Sequence, residues 1–308
     1  MVTEPEDLAA RVAAGEARAV ARLISWVEDG APGLPDALEA LPSGSAAYVI
    51  GLTGSPGVGK STVTSALVGS YRARGKRVGV LAIDPSSPFT GGALLGDRIR
   101  MQEHATDTGV FIRSMASRGH LGGMAAATPQ AVRVLEAAGC DVVLIETVGV
   151  GQSEVDVAAT ADATVVILAP GMGDGVQAAK AGILEVADIV CVNKADREGA
   201  EATARDVRQM LRLGSPVDGW SPLVVTSVAA RGDVADLMAA LDERRAWLDE
   251  GDRGRQRRRA RAAAEILALA GGRARIRLAE SLSPEVVDAV ADGQLSSFAA
   301  ADGLLSQH

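Results

Sequence analysis

The sequence predicts a doubly wound α/β fold in which helices cover both faces of a mostly parallel sheet. From Ala46 onwards, short apolar segments alternate with longer helical ones, which is the pattern of repeated βαβ units. Several apolar segments are almost continuously hydrophobic, as in the run DVVLIE at residues 141–146. Strands of that kind are buried on both faces, and their crossover connections are right-handed.

The individual elements follow from the same periodicity. The predicted strands are Ala47–Leu52, Arg77–Ile83, Val110–Arg113, Asp141–Glu146, Ala163–Ala169, Ile189–Asn193 and Leu223–Thr226. The predicted helices between them include Ser61–Arg74, Pro129–Ala138, Ala200–Leu211 and Val234–Glu250.

The two ends of the chain differ from this central part. Apolar residues at helical spacing between Pro5 and Val27 predict one or two helices, and the segments Gly30–Gly33 and Leu41–Gly44 indicate a linker. After Asp249 the chain turns basic and then apolar, which predicts a helical tail. We therefore expect an N-terminal helical extension (1–44), a central domain (45–248) and a C-terminal helical arm (249–308).

Composition limits the function classes. The net charge of −8 opposes generic binding of nucleic acid, which depends on a positive surface. Cys140 and Cys191 lie far apart in or beside apolar stretches, so we expect buried free thiols. Residues 1–17 are acidic and unlike a signal peptide, and no apolar run reaches the ~20 residues of a membrane span. A cytoplasmic location is expected.

A phosphate-binding loop is predicted directly after the first strand. The segment GSPGVGKST at residues 54–62 fits the pattern G-x-x-x-x-G-K-[ST], whose backbone amides point at phosphate oxygens. Lys60 would supply a positive charge to the β- and γ-phosphates, and Ser61 a hydroxyl to Mg²⁺. The predicted phosphate-binding residues are Gly54, Ser55, Pro56, Gly57, Val58, Gly59, Lys60, Ser61 and Thr62. The pattern predicts a P-loop NTPase without choosing the base.

The base is indicated by a second motif, Asn193-Lys194-Ala195-Asp196, at the end of a predicted strand. A carboxylate there can accept hydrogen bonds from N1–H and the exocyclic amine of guanine, a donor pair that adenine lacks. The segment TSVAARGD follows a further strand and supplies candidates for the base pocket. These candidates are Ser227, Val228 and Ala229. Together the two segments predict a guanine site.

Acidic residues at strand ends predict a magnesium site. Glu146 ends the strand DVVLIE and is followed three residues later by Gly149, the arrangement that holds magnesium and senses a γ-phosphate. Asp84 ends another strand, and Asp97 lies in the loop after it. A helix cap or turn remains the alternative role for both aspartates. Ser61, Asp84, Asp97 and Glu146 are therefore the candidate metal ligands.

The residue after Gly149 bears on the rate of hydrolysis. Small Ras-like GTPases have a catalytic Gln there, whereas this chain has Val150, and Gln152 is out of register. We therefore predict slow intrinsic hydrolysis unless a partner or another loop completes the site.

These residues together resemble the SIMIBI class of P-loop GTPases, and more closely the MeaB/ArgK family of methylmalonyl-CoA-mutase-associated GTPases. The resemblance covers roughly residues 51–232. It rests on the strings GSPGVGKST, AIDPSSPFTGGALLGDRIRM, IETVGVGQSE, GMGDGVQAAKAGILEVADIVCVNKAD and TSVAARGD. It implies a dimeric GTPase that chaperones an adenosylcobalamin-dependent acyl-CoA mutase, with methylmalonyl-CoA mutase as the default partner, gating cofactor loading and protecting the enzyme.

The resemblance also implies roles for single residues. The phosphate loop, the acidic residues and the guanine motif match the family's corresponding elements, and the C-terminal tail would be a dimerisation arm. Gly171–Glu185 resembles the family's additional switch loop, with Lys180 as its functional cation; a flexible loop carrying a surface charge is the alternative. The implied catalytic residues are Lys60, Asp97, Glu146 and Lys180.

Three other functions compete with this interpretation. A nickel-delivery GTPase of the same class would carry a metal motif rich in Cys or His, which this chain lacks. A transport-system kinase would need an acceptor site, and a scaffold could bind nucleotide without turnover. The arginine cluster at residues 253–261 is interpreted as a solvated helix face or polar linker.

Overall fold

A computed structural model describes residues 4–42, 46–84, 102–104, 106–116, 124–147, 157–171, 183–212 and 219–306. Within these residues, seven strands form one sheet in which all paired neighbours are parallel, in the order β3-β2-β4-β1-β5-β6-β7. The strands are β1 (Tyr48–Thr53), β2 (Val78–Asp84), β3 (Val110–Ala116), β4 (Val142–Thr147), β5 (Ala163–Leu168), β6 (Ile189–Val192) and β7 (Leu223–Thr226). The predicted fold class is confirmed.

The strands lie where the apolar runs predicted them, with ends that differ by at most three residues. The largest difference is β3, which continues to Ala116 because it pairs with β2 along its whole length. Strands β1, β4, β5 and β6 are buried at every residue. Their β-branched and leucine side chains therefore pack against helices on both faces of the sheet.

The helices of the described residues form two layers and a C-terminal arm. Those with six or more described residues are α1 (Pro5–Ala13), α2 (Ala17–Asp29), α3 (Leu34–Glu39), α4 (Lys60–Ala73), α5 (Met124–Ala137), α6 (Ala200–Leu211), α7 (Ala235–Asp249), α8 (Arg253–Ser281), α9 (Pro284–Ala291) and α10 (Ser297–Leu305). Along β1, Val49 faces the core formed with α1–α3 and α5, whereas Ile50 faces the core formed with α4 and α7. This alternation is the doubly wound arrangement.

The N-terminal segment differs from its prediction at one point. A short helix, α3, occupies part of the segment that was predicted as a linker. Pro35 lies in its first turn, where a missing backbone N–H costs nothing, and Leu34 and Leu38 are buried. The three N-terminal helices share one hydrophobic core with the sheet.

The C-terminal segment is helical, as predicted, and leaves large apolar side chains in contact with solvent. Their exposed fractions reach 72% for Leu267 and 86% for Phe298. None of the helices in the described ranges is both long enough and apolar enough to cross a membrane. Cys140 and Cys191 are free and buried, and burial raises the pKa of the Cys140 thiol to about 11 and that of Cys191 to about 12.

Close packing beside β1 gives a stability prediction. A Cβ added at Gly51 would lie 2.5 Å from Val157 Cγ1 and 3.2 Å from Ala161 Cβ. Because such an approach overpacks the core, Gly51→Ala is expected to lower the free energy of unfolding by about 1–3 kcal/mol, measured by chemical denaturation. Gly69→Ala in α4 is the control, since an added Cβ there meets nothing within 4 Å. Equal stability of the two variants would contradict this packing.

Candidate nucleotide-binding site

The predicted phosphate loop connects β1 to α4. Gly54, Gly57 and Gly59 have φ angles of +142°, +84° and +97°, a region that residues with a Cβ rarely adopt. A Cβ at Gly54 would collide with the Ile167 carbonyl, and one at Gly59 would lie 2.5 Å from Asn193 Nδ2. Gly54 and Gly59 are therefore required both by backbone conformation and by space, and Gly57 by backbone conformation.

Lys60 is the first residue of α4, and its side chain turns back over the loop. Its Nζ donates to the carbonyl oxygens of Gly54 at 2.5 Å and Ser55 at 3.2 Å, and only 8% of the residue is exposed. The ammonium group and the positive end of α4 thus lie at the same turn of backbone. Both favour a bound anion.

Glu146 links β4 to α4. Its carboxylate accepts hydrogen bonds from Ser61 Oγ at 2.7 Å and from Thr64 Oγ1 at 2.9 Å, and it is 1% exposed. The two predicted metal ligands Ser61 and Glu146 are thereby brought together. A carboxylate beside a hydroxyl is the oxygen donor set that Mg²⁺ prefers, so these residues fit that ion.

Thr64 was not identified from the sequence. Its position four residues after Lys60 places it one helical turn further along α4, and its Oγ1 also donates to the Lys60 carbonyl at 3.0 Å. That spacing after a P-loop lysine is the signal that could have found it.

The remaining acidic candidates are only partly described. Asp84 is the last residue of β2, one position beyond the pair Ile83–Thr147, so its backbone lies at the same sheet edge as Glu146. Asp97 and Lys180 lie outside the described residues, as do residues 148–156 with Gly149. Within the described ranges, no group of three or more His, Cys, Asp and Glu side chains is placed to hold a metal ion.

Asn193 joins the guanine motif to the phosphate loop. Its Nδ2 donates to the Val58 carbonyl at 2.9 Å, and its Oδ1 accepts from Ser227 Oγ at 3.1 Å and from the Ala229 amide at 3.2 Å. The residue is 3% exposed. Three predicted segments from distant parts of the chain are therefore fixed to one another by a single amide side chain.

Lys194 adds a second link to the loop. Its Nζ donates to the Gly57 carbonyl at 2.6 Å, and its φ of +58° is unusual for a residue with a side chain. Such strain occurs where the surroundings fix a functional geometry.

Asp196 is accessible, with 41% of its side chain exposed. One carboxylate oxygen lies 3.6 Å from Nη2 of Arg231. Arg231 was not predicted, although it belongs to the segment TSVAARGD that the sequence singled out. An exposed pair of this kind contributes little to stability, so the carboxylate can exchange the guanidinium for another donor.

Comparisons with known proteins show the family to which the chain belongs. The sequence profile described as methylmalonyl-CoA mutase-associated GTPase MeaB matches residues 20–281. The chain belongs to the MeaB family. As a member of this family it is a GTPase that binds guanine nucleotide, and the predicted family and activity are confirmed.

Relatives of the MeaB-family chain are similar over different lengths. A protein from Pyrococcus abyssi named as a GTPase is 45% identical, with 98% of this chain and 96% of the relative covered. The Escherichia coli GTPase ArgK is 43% identical over 58% of this chain and 56% of its own. The methylmalonic aciduria type A homolog of Caenorhabditis elegans is 39% identical over 69% and 54%.

A solved structure is also similar to the MeaB-family chain. The crystal structure of an LAO/AO transport system kinase superposes with a TM-score of 0.76 over 99% of this chain and 98% of its own, at 25% identity. The fold is therefore shared along nearly the whole length, including the helices that flank the sheet.

Proposed function

We propose that this GTPase is a chaperone for an adenosylcobalamin-dependent acyl-CoA mutase, with methylmalonyl-CoA mutase as the first candidate. It would gate cofactor loading and protect the mutase. The observation that carries the proposal is the family match across residues 20–281, whose description associates the family with that mutase. The name of the Caenorhabditis elegans relative, which refers to methylmalonic aciduria, supports it further.

The described residues suggest how the chain handles GTP. Backbone amides of the loop and the Lys60 ammonium would hold the β- and γ-phosphates, while Asn193 keeps the guanine motif at a fixed distance from them. Water attacks the γ-phosphorus as its bond to the bridging oxygen breaks, releasing GDP and phosphate. Because such catalysis is mostly positioning and charge stabilisation, the buried links among these segments matter more than any acid or base.

Magnesium is part of the same proposal. Ser61 and Glu146 would hold Mg²⁺, because their oxygens already lie 2.7 Å apart in a buried position, and Asp84 and Asp97 are the further candidates. Bound Mg²⁺ would supply positive charge to the phosphate oxygens. Lys180 is proposed as the functional cation of the switch loop on the resemblance alone.

A homodimer is proposed as the working form. The C-terminal arm exposes apolar side chains that a second copy could cover. These are Ile266, Leu267, Ile276, Leu282, Val287, Phe298 and Leu305. Two chains joined by such an arm would present two nucleotide sites to the mutase.

The test is GTP hydrolysis by the purified protein, with and without an adenosylcobalamin-dependent methylmalonyl-CoA mutase, and with ATP as the control nucleotide. We expect slow turnover alone, specific for GTP, and a rate that rises at least several-fold with the mutase. Light scattering on the same samples gives the oligomeric state. A rate that the mutase leaves unchanged would overturn the proposed partner and leave the GTPase activity intact.

A transport-system kinase is the second candidate, because the structure with a TM-score of 0.76 carries that name. A kinase would transfer the γ-phosphate to a protein acceptor rather than to water. Labelled GTP and ATP incubated with candidate solute-binding proteins would separate the two functions, since only the kinase leaves label on protein.

A further inference from the structure

Two arginines of the C-terminal arm contact the domain that binds nucleotide. Arg257 donates from Nη2 to the carbonyl oxygens of Ala158 at 2.8 Å and Ala161 at 2.9 Å, and from Nε to Ala161 at 3.1 Å. Arg261 donates to Asp162 Oδ1 at 2.9 Å, with both side chains less than one fifth exposed. Part of the arginine cluster interpreted as solvated is therefore bound, which corrects that interpretation for these two residues.

The contacted residues lie at and just after the C-terminal end of a helical stretch, whose described part is the turn at residues 157–160. Residues 157–160 are helical, and the carbonyls at a helix C-terminus lack partners within the helix. The planar guanidinium of Arg257 satisfies two of them at once and places a positive charge at the negative end of the turn. A cap usually made by a neighbouring residue is made here by a side chain nearly a hundred positions away.

The same turn is fixed to β1, the strand that leads into the phosphate loop. Val157 and Ala161 are fully buried, close to Gly51. Asp162 accepts from the Val49 amide at 2.9 Å and donates from its own amide to the Val49 carbonyl at 2.7 Å. Hydrogen bonds therefore connect the C-terminal arm to the turn, and the turn to β1.

The end of β1 is in turn bonded to the strand that carries Glu146. Thr147, the residue after Glu146 in β4, donates from Oγ1 to Thr53 Oγ1 at 3.2 Å. Thr53 is the last residue of β1 and directly precedes Gly54, the first residue of the phosphate loop. What holds the turn therefore holds β1, the strand from which the phosphate loop begins.

We infer that Arg257 is a positioning residue for GTP hydrolysis, which it supports from the C-terminal arm through residues 157–161. The C-terminal arm thereby affects the rate of GTP hydrolysis, in addition to offering a surface for dimerisation. By thermodynamic linkage, if the arm contact favours the GTP-bound arrangement, then bound GTP favours the arm contact. The inference rests on the GTPase activity and not on the mutase partner, so either can fail without the other.

The test compares Arg257→Ala with Arg257→Lys and with Arg259→Ala as control. Arg259 lies on the same helix, is exposed, and makes no side-chain hydrogen bond or ion pair to the described residues. We expect Arg257→Ala to lower kcat for GTP by about 2- to 30-fold, the range for mutations that alter coupling, with KM and GDP affinity within about twofold of the parent protein. Lysine, which cannot reach two carbonyls with a planar fork, should restore only part of the rate.

Hydrogen exchange on the same proteins separates positioning from a loss of structure. Amides of residues 157–162 should exchange faster in Arg257→Ala, whereas those of β4 and β5 should not. A kcat equal to that of Arg259→Ala, with faster exchange at the turn, would overturn the inference. If Arg257→Ala fails to fold, Arg257→Lys decides: an unchanged kcat in that variant also overturns it.

Discussion

Replacing Asp196 by asparagine is expected to weaken GTP binding by about 10²–10⁴-fold. The carboxylate would accept hydrogen bonds from N1–H and the exocyclic amine of guanine, each worth about 1.5–3 kcal/mol because the acceptor is charged. The asparagine amide has only one acceptor oxygen, and its NH₂ group would face one of the two guanine donors without bonding to it. Xanthine has a carbonyl in place of the amine, so affinity for xanthosine triphosphate should rise. Titration with fluorescent analogues of both nucleotides measures this exchange of preference.

The matched control is Asp206→Asn, which removes the same charge from an exposed position on α6. It should bind GTP like the parent protein. An equal loss for both nucleotides in Asp196→Asn would indicate damage to the fold rather than to base recognition. An unchanged GTP affinity would remove Asp196 from the base pocket, and Arg231, 3.6 Å away, would then have to be examined as its partner in a different role.

The sheet could be predicted from the sequence because its strands are short and buried on both faces. The strand Val142–Thr147 is buried throughout, and its hydrophobic run predicts both where the strand lies in the sequence and that it pairs in parallel. The ends of the helices were harder to predict from the sequence. Helix α5 begins at Met124, five residues before its predicted start at Pro129, and Pro129 lies inside the helix. Proline is better tolerated in the first turn of a helix than in its interior, so its position in the sequence gives no sign of the preceding turn.

The site was predictable where a motif specifies chemistry and not where contacts are made across the fold. Local pattern identified Lys60, Ser61 and Asn193, since each belongs to a loop that follows a strand. It could not show that Asn193 bonds Val58 and Ser227 simultaneously, because those partners are 135 and 34 positions away. The contacts of Arg257 are of the same kind: a basic stretch shows charge, but only the packed structure shows which arginines are bound.

Replacing Lys60 by alanine is expected to lower kcat for GTP by about 10²–10³-fold, the usual cost of removing one group that stabilises charge in the transition state. The ammonium lies inside the phosphate loop, bonded to the carbonyls of Gly54 and Ser55. When GTP binds, the ammonium would exchange these neutral acceptors for phosphate oxygens. Negative charge grows on the bridging oxygen as its bond to the γ-phosphorus breaks, and the ammonium would stabilise that charge. Single-turnover hydrolysis measures this step without interference from product release.

Lys76→Ala is the control, because that ammonium pairs with Asp141 at 3.4 Å on the surface and contributes little. Comparing the affinities for two nucleotides then shows which phosphate Lys60 contacts. A lysine that acts on the γ-phosphate should, when removed, weaken binding of a GTP analogue more than binding of GDP. Equal losses for the two nucleotides would place its contact at the β-phosphate, and a kcat like that of Lys76→Ala would exclude it from catalysis.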